Sequence, residues 1–104
     1  MEYKYEIYQL NDSDEATAMR FISYGYNMEK GRIPRKDLYN LVYSGTGRDL
    51  DMNNYHILET IYHKFNVNKP MDFRGHSLST SDVVVLNGKP FYCDYIGFKP
   101  LTEW

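Results

Sequence analysis

The sequence predicts a single α+β domain with the order strand, helix, strand, helix, strand, strand. Three observations carry that prediction. The chain opens on a stretch with a period of two, it contains two stretches with apolar residues at three-to-four spacing, and it closes on two strand-like runs joined by Asn87-Gly88. At 104 residues there is enough chain for one hydrophobic core and not for two. The expected architecture is a largely antiparallel sheet of about four strands with both helices on one face, spanning residues 1–104 as one unit.

Each element has a local reason. In residues 3–10, Tyr3, Tyr5, Ile7 and Gln9 point one way and Lys4, Glu6, Tyr8 and Leu10 the other, which is an amphipathic first strand. Asn11-Asp12-Ser13-Asp14-Glu15 then starts a helix, with Asp12 as N-cap, Glu15 placed to close a capping box, and negative charge at the positive end of the helix dipole. Ala16, Ala18, Met19, Phe21 and Ile22 provide its apolar face, and Gly25 is placed to end it after about Tyr24. Residues 26–36, with Gly31 and Pro34, read as a connection carrying a helical turn near Met28.

Leu38 to Ser44 reads as the second strand, stopped by a turn at Gly45-Thr46-Gly47. The second helix runs from about Met52 to Phe65, with Tyr55, Leu58, Ile61, Tyr62 and Phe65 on one side and His56, Glu59, Thr60, His63 and Lys64 on the other. Asn66 to Pro70 ends that helix, since the residue before proline is pushed out of the α region. In the final hairpin, Asn87-Gly88 accepts positive φ at both central positions of a two-residue loop. Counting outward pairs Leu86 with Lys89 and Val85 with Pro90, so the missing N–H of Pro90 points away from its partner. That geometry makes the second hairpin strand an expected sheet edge, at least near Pro90.

Composition narrows the function. Twelve basic and fourteen acidic residues leave a net charge of −2, with a pI near 5.9. That is neither the positive field of a general nucleic-acid binder nor a sustained negative field that imitates DNA. Lys30, Arg32, Arg35 and Lys36 form the one local excess of positive charge. Eleven tyrosines dominate the aromatic residues; their rings suit half-buried strand faces first, and because so small a domain cannot hold all of them in its core, some remain for an interface. A single cysteine, Cys93, rules out an intramolecular disulfide and a cysteine-based zinc site and points to a reducing cytosol. The start Met1-Glu2-Tyr3-Lys4-Tyr5 has no signal-peptide character, so the expected location is the cytoplasm.

The chemical constellations are weak. His56 and His63 share a helical face but stand about 10 Å apart along its axis, too far to meet on one metal ion; Glu59 and His63 read as a local i,i+4 pair. His76, Ser77, Ser79, Ser81 and Asp82 include the residue types of a hydrolytic triad. Neighbours on one extended segment alternate in direction and do not converge. Hydroxyls and a carboxylate there suit a loop that satisfies its own backbone, with Gly75 as the tight-turn residue. Cys93 on a strand reads as a small buried side chain, and Gly45-Thr46-Gly47-Arg48 lacks the later glycine and lysine of a phosphate-binding loop.

The run Asp72-Phe73-Arg74-Gly75-His76-Ser77-Leu78-Ser79-Thr80-Ser81-Asp82-Val83-Val84-Val85-Leu86, with Asp94-Tyr95-Ile96-Gly97-Phe98 after the hairpin, closely resembles the YodL-like domain family. Tyr5-Glu6-Ile7-Tyr8-Gln9-Leu10, Arg20-Phe21-Ile22-Ser23-Tyr24, Tyr39 to Gly45 and Ile61 to Asn66 resemble its successive blocks, so the likeness covers nearly the whole chain. The resemblance implies a small domain of conjugative elements and phages, in a setting of conflict or accommodation between a mobile element and its host. It implies no catalytic residue.

These readings together lead to a non-enzymatic domain, without cofactor or metal, that binds and inhibits a host protein in counter-defence such as anti-restriction or anti-CRISPR activity. Its expected partner surface is Phe73, Arg74, His76, Tyr92, Tyr95 and Phe98, beside an exposed strand edge. The domain is expected as a monomer or homodimer. The alternative is a nucleic-acid accessory domain that uses Lys30, Arg32, Arg35 and Lys36. A small hydrolase centred on His76 and Ser77 ranks third.

Overall fold

A computed structural model describes the whole chain, residues 1–104. The first strand, β1, is Glu2–Leu10, and its alternation separates two apolar clusters. Tyr3, Tyr5 and Ile7 enter one cluster, while Tyr8 and Leu10 enter the other. Five antiparallel strands form the sheet in the order β2-β1-β3-β4-β5, where β2 is Tyr39–Arg48, β3 Val83–Leu86, β4 Lys89–Cys93 and β5 Phe98–Pro100. The α+β class holds, with one strand more than the four expected.

The helices lie on both faces of this sheet, not on one. Helix α1, Asp14–Met19, buries Ala16 and Met19 against Tyr8, Leu10, Val83 and Tyr92. The long helix, Asn54–Val67, numbered α3 in chain order, buries Ile57, Leu58, Ile61 and Phe65 against Tyr5, Ile7, Val84 and Phe91. The reason lies in the strands. Val83 and Val84 are adjacent, point to opposite faces, and are both fully buried, so each face demands its own cover.

The expected helix over residues 13–24 is two short ones. Ser13, one residue after the expected Asp12, caps α1 by accepting from the Ala16 N–H. The chain then turns at Phe21, with φ of 64°, and Ser23 caps α2, Tyr24–Glu29. Gly25 therefore sits in the first turn of α2 and ends nothing. Tertiary hydrogen bonds replace helical continuity: Phe21 N donates to Ser81 Oγ at 3.0 Å and Tyr92 Oη donates to Ile22 O at 2.7 Å. Arg20 also donates to Leu10 O and Asn11 O, anchoring the break against the end of β1.

Gly45-Thr46-Gly47 is not a turn but the continuation of β2 beyond the expected end. Tyr5 pairs with Gly45 and Tyr3 with Gly47, and the two rings lie across the glycines. A Cβ on Gly45 would stand 2.8 Å from Tyr5 Oη, closer than atoms approach. Glycine here makes room for a cross-strand ring. A register shift opposite Ile7 and Tyr8 adds a bulge to the same strand.

The hairpin forms as the turn chemistry dictates. Asn87 and Gly88 have φ of 49° and 83°, and Leu86 pairs with Lys89 and Val85 with Pro90. Its second strand is nevertheless interior, because β5 pairs with Phe91 to Cys93. Pro90 is tolerated at the end of that ladder, where it supplies only a carbonyl, which accepts from Leu101 N. The free edges are β2 and β5.

Gly45→Ala is expected to lower stability by about 1–3 kcal/mol, the usual cost of overpacking. Tyr5 is 3% exposed, with Tyr43 and Phe65 beside it, and has no open side to move toward. Urea unfolding measures the loss. An unchanged or raised midpoint would show that the ring does not require the glycine.

Candidate functional site

The segment from Gly75 to Asp82 turns its polar atoms inward. Gln9, near the end of β1 and 4% exposed, reaches it with both ends of its carboxamide. Its Nε2 donates to His76 O at 2.9 Å and to Asp82 Oδ2 at 3.1 Å, and its Oε1 accepts from His76 N at 3.2 Å. Gly75 must be glycine because a Cβ there would collide with Gln9 Oε1. Asp82 Oδ2 also accepts from Ser79 N at 2.8 Å. Ser79 Oγ donates to Ser77 O, Ser81 Oγ accepts from Phe21 N, and Tyr39 Oη donates to Ser81 O at 2.8 Å.

His76 is the exposed end of this network. Its Nδ1 lies 2.7 Å from Ser77 O and 3.2 Å from Gln9 Nε2; a proton on Nδ1 would serve the first contact and a lone pair the second. The opposite nitrogen, Nε2, faces Asp82 Oδ1 across 3.9 Å. No serine hydroxyl hydrogen-bonds the imidazole, and Ser77 Oγ accepts from Lys69 Nζ instead. Burial pushes the Asp82 carboxyl up from an ordinary 3.8 to about 7, against the opposing pull of the Ser79 N–H, Gln9 and the Arg20 charge. Burial also pushes the Cys93 thiol well above its usual value, which keeps it protonated and unreactive.

The six residues expected on one partner surface are scattered. Tyr92 is fully buried with its hydroxyl donating to Ile22 O, and it accepts from Asn27 Nδ2 at 3.0 Å, so it faces no partner. Phe73 packs on Phe65 and Tyr43 at the β2 side of the sheet, with ring centroids 4.9 and 6.1 Å away. Phe98 lies on β5 against Tyr62, with centroids 6.1 Å apart. Four strand spacings, about 19 Å, separate β2 from β5. Arg74 and His76 are exposed, His76 beside Gln9 of β1 and Asp82 ahead of β3, and Tyr95 is exposed in the turn before β5.

What gathers around β5 is an aromatic surface. Tyr95 and Ile96, at the tip of the β4–β5 connection, are 65% and 94% exposed. Tyr62 and Phe98 stand beside them, and Tyr55, two turns earlier on α3, is half exposed over Phe91. Ile96 escapes the sequence reading, although two large apolar residues in a four-residue turn, Asp94-Tyr95-Ile96-Gly97, are themselves a signal. Helical spacing assigns Tyr55 and Tyr62 to the core, and they are only its margin.

The basic cluster is largely occupied. Arg35 makes two hydrogen bonds of 3.0 Å to Glu15 and another of 3.1 Å to Asp37. Lys30 lies over Tyr26, Lys36 over Tyr8 and Trp104, and Arg32 donates to Ala18 O. His56 hydrogen-bonds Asp49 at 3.0 Å, and Glu59 forms no bond to His63. No helix is long and apolar enough to cross a membrane.

Comparison with known proteins adds a family. The model of the YodL-like domain matches residues 4–104. No curated protein and no solved structure matches the chain.

The Asp82 shift has a sign that can be measured. Its folded pKa lies above its unfolded one, so between about pH 4 and 7 the folded state holds the extra proton. Asp82 therefore favours folding most below that window, and the benefit is lost as pH rises through 7. Asp82→Asn keeps an acceptor for Ser79 and Gln9 and removes the titration. Urea unfolding at pH 5 and pH 8 is expected to show a drop in wild-type stability that shrinks by about 1 kcal/mol or more in the variant. Equal pH dependence in the two proteins would mean that Asp82 does not titrate in this range.

Proposed function

The chain belongs to the YodL-like domain family, and on that premise we propose that it is a non-enzymatic protein-binding domain of a mobile genetic element that inhibits a host protein. The observation that carries the binding role is the surface on which Tyr55, Tyr95 and Ile96 stand exposed beside the partly buried rings of Tyr62 and Phe98. Tyrosine is favoured at the centres of interfaces because it buries a large ring at little cost in rotamer entropy. The mobile-element setting and the counter-defence role are what the family resemblance implies. A sole, buried, free thiol accords with action in a reducing cytoplasm.

The nucleic-acid alternative receives less support, because Arg35 is already neutralised by Glu15 and Asp37. The remaining cations of that cluster are too few for strong phosphate neutralisation. A hydrolytic reading lacks a serine hydroxyl bonded to His76.

Affinity capture from a host lysate tests the proposal with three proteins: wild type, a Tyr95→Ala/Ile96→Asp double variant, and an Arg74→Ala/His76→Ala double variant. Wild type and the Arg74/His76 variant are expected to retain the same specific host protein, and the Tyr95/Ile96 variant to lose it. The captured protein, once purified, should lose activity when the domain is added. Retention of nothing by the wild type, or equal retention by all three, would sink the proposal.

A further inference from the structure

Between α3 and the β4–β5 turn lies a hollow of about 200 Å³ lined by Glu59, Tyr62, Asp94, Tyr95 and Phe98. We infer that it receives a single basic side chain, arginine or lysine, presented by a protein partner. The inference rests on the protein-binding reading above and adds the chemistry that the partner must bring.

Size limits the occupant. Pockets for drug-sized ligands run to about 300–1,000 Å³, so this one suits a side chain better than a nucleotide. The walls are aromatic. The Tyr62 and Phe98 rings both line it and meet edge-on at 75° with centroids 6.1 Å apart, and the exposed Tyr95 stands beside them. Aromatic faces set at an angle attract a cation, and guanidinium also stacks on them.

Charge selects the occupant. Glu59 and Asp94 both border the hollow, and neither forms a salt bridge within the chain. Asp94 is held in place, since its Oδ1 accepts from Tyr24 N and Tyr95 N at 3.1 and 2.9 Å. The nearest basic residue in sequence, Lys99, points to the other face of the sheet, where its Nζ lies over Tyr24. Two carboxylates beside aromatic faces, with no cation of their own, form a receptor for a positive group. A turn closed by Asp94 N donating to Gly97 O, with Gly97 at φ 74°, presents Tyr95 and Asp94 together.

The test is an NMR titration of the intact chain with Nα-acetyl-arginine methylamide and with its neutral citrulline counterpart. The arginine probe is expected to shift amide signals around Glu59, Tyr62, Tyr95 and Phe98, and to bind about tenfold more tightly than citrulline. Added salt should weaken it. Glu59→Gln, an exposed substitution that leaves the spectrum otherwise dispersed, should weaken it several-fold, and Tyr95→Ala likewise. Scattered or absent shifts, equal binding of the two probes, or no effect of Glu59→Gln would overturn the inference. Host-protein capture that persists without probe binding overturns the hollow alone. Probe binding without capture sustains the hollow and removes the inhibitor reading.

Discussion

One buried carboxamide holds the structure's least regular part to its most regular. Gln9 projects from β1 into the Gly75–Asp82 segment and supplies both a donor and an acceptor to it. A buried polar group left without partners costs about 1–3 kcal/mol, so this contact strongly favours one path for the loop. Asp82, drawn into the interior by the same side chain, joins the Ser79 backbone and leads directly into β3. The placement of β3 beside β1 is the result, with Ile7 opposite Val84 and Tyr8 opposite Val83.

That placement has consequences on both faces of the sheet. Because β1 and β3 carry apolar side chains on each side, helices are required on each side, and the chain supplies α3 to one and α1 to the other. The interruption between α1 and α2 belongs to the same arrangement. Its backbone groups bond to Ser81 and Tyr92, residues near the two ends of the hairpin, so a continuous helix would forfeit those contacts. Local helix propensity is a small term beside several buried hydrogen bonds.

The loop that marks the family therefore serves the fold. Ser79, Thr80, Ser81 and Asp82 are engaged with backbone atoms and Ser77 accepts from Lys69, while Asp72, Arg74 and His76 are exposed. The proposed working surface lies around the β4–β5 turn, where aromatic rings and two carboxylates without a salt bridge border the hollow. Family signature and proposed working surface are thus different places. They meet at one point, where Thr80 Oγ1 donates to Asp94 O.

Sequence alone determined several features that depend on neighbours along the chain. The alternation of β1, the amphipathic α3, the positive-φ Asn87-Gly88 turn and the pairing of Val85 with Pro90 are local matters of period and turn chemistry, and all are present. The hydroxyl-rich loop also reads correctly as one that satisfies its own backbone. Tertiary structure decided the rest. Gly45 and Gly47 look like turn residues until Tyr5 and Tyr3 are seen lying across them, and the edge status of β4 depends on β5 arriving beside it. Tyr92 could be an interface anchor or core until its hydroxyl is seen bonded beneath α2. The reason is common to all three: a residue's exposure and pairing are set by partners distant in sequence, and periodicity reports only which residues share a face.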